Sequence, residues 1–114
     1  MKKMLMIFSF ALLAPTVSAK GIDVKKVYDQ AFKECLPKLR KLEDKLKSNG
    51  ETLKDYGWTK KEFMGEGCMI QRVSKDICKQ KGLQEDTNEF FECTSGEEKR
   101  HLPAINKFLD TKNY

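Results

Sequence analysis

The stretch DVKKVYDQAFKECLPKLRKLEDKLKS, residues 23–48, decides the fold. At about 100° per residue, Val24, Val27, Tyr28, Ala31, Cys35, Leu39, Leu42 and Leu46 share one stripe, while Lys26, Asp29, Lys33, Arg40, Asp44 and Lys47 fall opposite. This is the pattern of a long amphipathic helix. Asp23 is placed to accept from the first free amides, and Asn49-Gly50 supplies residues that tolerate the left-handed conformation at a helix end. Pro37 opposes continuity because it removes one backbone donor and crowds the preceding turn. It sits on the polar side, so the expectation is a kink, or two helical pieces meeting near Leu36, with the apolar stripe intact.

Working outward, the periodicity lapses from Glu51 to Trp58, where Asp55, Gly57, Tyr56 and Trp58 suggest a turn pinned to the core. Thr59-Lys60-Lys61-Glu62 matches a capping box, which opens a second helix. Phe63, Ile70, Val73, Ile77 and Cys78 form its apolar face, with a break expected near Gly65 to Gly67 and an end at Gly82. Asp86-Thr87-Asn88-Glu89 predicts a further cap before a short helix through Phe90, Phe91 and Cys93. A closing segment from Glu97 to Leu109 carries Leu102, Ile105, Phe108 and Leu109, divided or started by Pro103. No sustained period-two run appears. The fold class is all-α: a small disulfide-bridged helical bundle of three to five helices after a cleaved signal peptide.

That signal peptide is read from the N-terminus. Lys2 and Lys3 precede an apolar run from Met4 to Leu13, and Val17-Ser18-Ala19 offers the small residues of a cleavage site. The expected organisation is a signal peptide over residues 1–19 and one secreted helical domain over residues 20–114, with Lys20 as the first mature residue. The apolar run is shorter than the roughly 20 residues of a membrane-spanning helix, so no membrane insertion is expected. The chain has 22 Lys and Arg against 17 Asp and Glu, and loss of Lys2 and Lys3 leaves a formal charge of +3. Acidic residues are scattered among the lysines, which argues against nucleic acid as a partner.

All four cysteines, Cys35, Cys68, Cys78 and Cys93, lie in the mature part, and an even count in a small exported domain reads as two disulfides. No metal is expected, because there is no C-x-x-C pair and His101 is the only histidine. In a continuous second helix Cys68 and Cys78 would stand roughly 15 Å apart, too far to bridge. The preferred pairing is Cys35 with Cys78 and Cys68 with Cys93, since Cys78 lies on the apolar edge and Cys68 well round from it. The alternative, Cys35 with Cys68 and Cys78 with Cys93, demands similar axial offsets.

The chain carries no G-x-S-x-G elbow, H-E-x-x-H pair, phosphate loop or G-x-G-x-x-G turn. His101 is placed beside Ser95 or Glu98, and in so charged a segment it reads as a solvated side chain. No catalytic residue, no cofactor and no enzyme activity are expected. Candidate partner-binding residues are Lys33, Arg40, Lys41 and Lys47 on the first helix, which suit an acidic partner, and Tyr56 and Trp58 in the turn, which suit interface anchors. Of Phe90 and Phe91, adjacent on a short helix, only one is expected to face the interior.

The tracts Glu34-Cys35-Leu36-Pro37-Lys38-Leu39, Asp55-Tyr56-Gly57-Trp58-Thr59 and Gly67-Cys68-Met69 resemble the anopheline mosquito salivary anti-complement family of the albicin and anophensin type. The resemblance covers most of the mature chain in organisation. It implies an extracellular salivary protein in a host-parasite interaction, acting on haemostasis or complement. The host plasma protein complex it would inhibit is the alternative pathway convertase or the contact-activation system. A second expectation comes from Phe90-Phe91-Glu92-Cys93, which is similar to the last cysteine region of insect odorant-binding carriers of small hydrophobic ligands. Four cysteines, with nine residues between Cys68 and Cys78, depart from the six-cysteine spacing of those carriers. A bacterial periplasmic protein would carry a similar leader.

Overall fold

A computed structural model describes residues 21–114. The expected signal peptide over residues 1–19 and Lys20 lie outside the described residues. Four α-helices follow in order: α1 (Val24–Ser48), α2 (Lys60–Met64), α3 (Ile70–Gln80) and α4 (Asn88–Thr111). A 3₁₀ turn (Leu53–Tyr56) precedes α2, and a π-helical turn (Gly65–Met69) joins α2 to α3 without a break. Among the described residues there is no strand, so the protein is a small all-α bundle.

Local chemistry places the helix ends. Asp23 accepts from Lys26 N at 3.1 Å at the start of α1. At its end Gly50 takes φ +74°, so that Glu51 N reaches back to Leu46 O at 2.8 Å and Gly50 N to Lys47 O at 2.9 Å. The expected capping box opens α2: Glu62 N donates to Thr59 Oγ1 and Thr59 N to Glu62 Oε1, both at 3.0 Å. Thr87 caps α4 through Phe90 N at 3.1 Å.

Neither long helix is divided into separate pieces. α1 runs as one helix across Pro37, and α4 runs as one helix across Gly96 and Pro103. Both prolines are exposed, as are Lys33 and Lys99 four residues before them, so water can satisfy the carbonyls that lose their donors. α4 is further held along α3 by the Cys78–Cys93 bridge and by burial of Glu97, Ile105 and Leu109. These non-local contacts outweigh the roughly 1 kcal/mol that an internal glycine costs. Nothing lies within 4 Å of a Cβ built on Gly96. Gly96→Ala should therefore raise stability by about 0.5–1 kcal/mol, seen as a higher urea midpoint at constant slope.

The core draws on every helix. Val27, Tyr28, Ala31, Cys35 and Leu39 of α1 face Met64, Met69, Val73 and Ile77, with Ile105 and Leu109 closing the third side. Disulfides join Cys35 to Cys68 and Cys78 to Cys93, which reverses the preferred pairing and realises its alternative. The cause is the π-turn. It winds five residues, Cys68 among them, into a wider turn, so the face read from an unbroken α-helix does not hold across it. Cys68, predicted to lie away from the apolar face, is turned into the core beside α1. Cys78 is then free to meet Cys93 across the α3–α4 turn.

Candidate functional site

The stripe of α1 divides in two. Val27 to Leu39 is covered by the other helices, but Leu42 and Leu46, one and two turns further on, are only half-buried. Beside them lie Phe63 of α2 and the returning 3₁₀ turn, whose Leu53 is buried. The result is an apolar groove of about 450 Å³ with Leu42, Leu46, Leu53 and Phe63 on its walls and Gly67 at one end. Tyr56 and Trp58 line it while remaining 56% and 41% exposed.

The turn that presents these two aromatics is well fixed. Thr52 N donates to Asp55 Oδ2 at 2.8 Å, and Trp58 N donates to Leu53 O at 3.1 Å across Gly57, whose φ is +78°. Tyr56 donates its hydroxyl to Glu51 Oε1 at 2.9 Å. That bond, reinforced by desolvation and by the charges of Glu51 and Asp55, holds the phenol above its ordinary pKa. Tyr56 thus offers its ring to the groove with its polar end already engaged.

The basic candidates occupy another surface. Lys33, Arg40, Lys41 and Lys47 are all exposed, and none pairs with an acidic side chain among the described residues. Lys33, Arg40 and Lys47, spaced seven apart, form a stripe on the face of α1 turned away from Leu42 and Leu46. Lys41 stands on an adjoining face. The structure therefore brings Tyr56 and Trp58 together at one groove and separates them from the Lys33–Lys47 stripe.

A third feature is a buried polar chain crossing three helices. His101 is half-buried rather than solvated, and its partners are Glu97 and Tyr28 rather than Ser95 or Glu98. Glu97, only 4% exposed, accepts from His101 Nε2 at 3.0 Å, Lys81 Nζ at 3.0 Å and Arg100 Nη1 at 3.3 Å. A carboxylate only accepts, so Nε2 carries a proton, and Nδ1 makes the second hydrogen bond of the ring with the Tyr28 hydroxyl. Burial alone would raise the pKa of Glu97. The hydrogen bond and charge of Lys81, the charge of Arg100 and the bond from His101 outweigh it and hold the carboxyl below its usual range. Tyr28 is shifted up, first by burial and then by the charge of Glu97. The chain Tyr28–His101–Glu97–Lys81 ties α1, α4 and the end of α3 together.

Among the described residues no group of three or more His, Cys, Asp or Glu side chains is placed to hold a metal ion, and no helix is long and apolar enough to cross a membrane. No protein-family model matches the chain, and no curated protein or solved structure matches it either.

Of the groove, Tyr56 and Trp58 were legible as candidates from their place in the turn. Leu42, Leu46 and Phe63 read only as members of apolar helix faces. The period of α1 identifies which side chains are apolar, but not which of them another element will cover. For the polar chain the available signal was the i, i+4 spacing of Glu97 and His101, whereas Tyr28 and Lys81 join it only through the fold.

Proposed function

We propose that this chain is an exported, non-enzymatic binding protein that blocks a protein target by occupying it, and that the target belongs to a host plasma cascade. The observation that carries the proposal is the apolar groove rimmed by Tyr56 and Trp58, held on a scaffold with two disulfides. Aromatic side chains beside a pocket are the usual anchors of protein contacts. Disulfides persist in oxidising, extracellular settings, in keeping with the Lys-Lys leader and its apolar run. The salivary resemblance supplies the choice of target: the alternative pathway convertase or contact activation.

The test is inhibition of alternative-pathway haemolysis and of kallikrein-kinin activation by the mature protein. Protection should rise in proportion to the ratio of protein to target, without turnover. Trp58→Ala should raise the half-inhibitory concentration by about thirtyfold, the loss expected of one interfacial anchor, with unchanged circular dichroism. If charge reversal at Lys33, Arg40, Lys41 and Lys47 abolishes inhibition and Trp58→Ala does not, the contact is the basic stripe.

The groove also favours one other function, carriage of a small hydrophobic ligand, since its volume of about 450 Å³ falls within the range of ligand pockets. Its open form and the prior engagement of the Tyr56 hydroxyl favour a protein contact. One-to-one binding of a fluorescent apolar probe, displaced by small ligands, with no effect on either cascade, would establish the carrier instead.

A further inference from the structure

Charge is not spread evenly over the helices. Among residues 21–114, α1 holds eight basic and four acidic side chains, whereas the remaining residues hold eleven basic and thirteen acidic. The net positive charge therefore belongs to one helix. The fold sharpens the contrast, because Glu34 and Glu43, two of the four carboxylates of α1, are taken by cations from other elements, Arg72 at 3.0 Å and Lys60 at 3.5 Å. None of the eight basic side chains of α1 is in an ion pair among the described residues, and only Asp29 and Asp44 remain as unpaired carboxylates of the helix.

Six of those cations, Lys25, Lys26, Lys33, Arg40, Lys41 and Lys47, are exposed on the half of α1 turned away from the core. Lys26, Lys33, Arg40 and Lys47 recur every seven residues, about 10 Å apart. The carboxylates of other elements do not cancel them. Asp55, Glu62 and Glu66 adjoin the groove, on the core-facing side of α1 with Leu42 and Leu46. Asp76 of α3 lies beside Val27 and Gln30, where Arg72, Lys75 and Lys79 line the same depression. The outward half thus sets six cations against two free carboxylates along about 33 Å, the rise from Lys25 to Lys47. The core behind it and the Cys35–Cys68 bridge hold the spacing fixed.

We propose that this half of α1 binds a linear sulfated polysaccharide of the glycosaminoglycan type. Five of the six cations are lysines, mobile point charges without the planar fork that reads base edges. The surface presents no aromatic ring on which a base could stack, and only Leu36, itself half-buried, and Pro37 to enter a bilayer. A flat anionic membrane would also meet the flanking elements, whose net charge is negative, whereas a single chain can lie along α1 alone. The site is separate from the groove of the binding function proposed above, and it depends on no plasma target.

Fluorescence anisotropy of a labelled heparin dodecasaccharide, titrated with the oxidised protein, tests this. Binding should saturate at low salt, and affinity should fall about fiftyfold between 50 and 200 mM NaCl, as when a flexible polyanion releases about four counterions. The triple variant Lys33→Gln, Arg40→Gln and Lys47→Gln, at exposed positions, should weaken binding at the lower salt by about tenfold or more and flatten its salt dependence. The matched triple Lys54→Gln, Lys99→Gln and Lys107→Gln removes the same charge at exposed positions away from α1 and should change affinity by less than about threefold. Trp58→Ala should leave it unchanged, so that loss of this surface is distinguishable from loss of the groove. Absence of saturable binding at low salt, or equal losses from the two triple variants, overturns the proposal. Tighter binding of phosphatidylserine vesicles, or of a single-stranded DNA dodecamer, overturns it too and assigns the surface to a membrane or to nucleic acid.

Discussion

Replacing Cys35 and Cys68 together by alanine should lower the stability of the helical bundle by about 4 kcal/mol, and replacing Cys78 and Cys93 should lower it by about 3 kcal/mol. The order follows from the sequence separations closed by the two bridges, 33 residues against 15, because the longer loop loses more unfolded-state freedom when it is tied. Position reinforces length. Cys35 and Cys68 both lie in the core and join α1 to the π-turn, so their loss also removes packed sulfur from the contact between those elements. Cys93, by contrast, is only half-buried at the α3–α4 turn. Urea unfolding of each double variant measures both values. Full reduction should bring the chain near its midpoint without denaturant, since the two losses together approach the 5–15 kcal/mol that a domain typically has. Equal losses for the two variants, or a smaller loss on removing the Cys35–Cys68 bridge, would contradict the assignment of that bridge as the principal brace.

What the sequence made legible was local, and what escaped it was set at a distance. Asp23, Thr59, Thr87, Gly50 and Gly82 act within a few residues of themselves, and each stands at the helix end that its chemistry predicts. Gly96 and Pro103 carry equally clear local signals, yet α4 passes through both because the core contacts on either side hold its axis. The disulfide pairing depended on the phase of a single turn. That turn lies where Gly65 meets α4, so closely that a Cβ there would come within 3.1 Å of Asn106 Oδ1 and 3.4 Å of Leu109 Cδ1. Such an approach cannot be read from the spacing of Phe63, Ile70 and Val73. The groove has the same origin: Leu42 and Leu46 obey the α1 period, and only the path of the returning chain leaves them half-buried. His101 shows the converse error, since the charged segment around it suggested solvent while Tyr28, seventy-three residues away, withdraws it from solvent.

Glu97→Ala should cost about 2–3 kcal/mol, a large loss for one carboxylate. A buried pair broken on one side typically costs about 3–5 kcal/mol, because the partner is left charged and dry. Here Lys81 and Arg100 have side chains 34% and 69% exposed and can rehydrate, whereas His101, at 12%, cannot do so fully and must leave its Nε2–H without an acceptor. The expected loss therefore falls below that range and still well above that of a surface ion pair. Glu97→Gln keeps the shape and one acceptor for His101 but removes the charge, and it should fall between wild type and Glu97→Ala. The pH dependence has a definite sign. The folded-state pKa of Glu97 lies below its unfolded value, so its contribution is complete above the unfolded carboxylate range and is lost as pH falls through the folded value. Tyr28 has the opposite sign: its folded pKa is raised, so its contribution is complete below the unfolded tyrosine value near 10 and declines as pH rises through the folded one. Urea midpoints measured across pH should then fall at acid pH in wild type and less steeply in Glu97→Gln, since that variant has no carboxyl left to protonate. An identical acid slope in both proteins would mean that Glu97 does not anchor the polar chain between α1, α3 and α4.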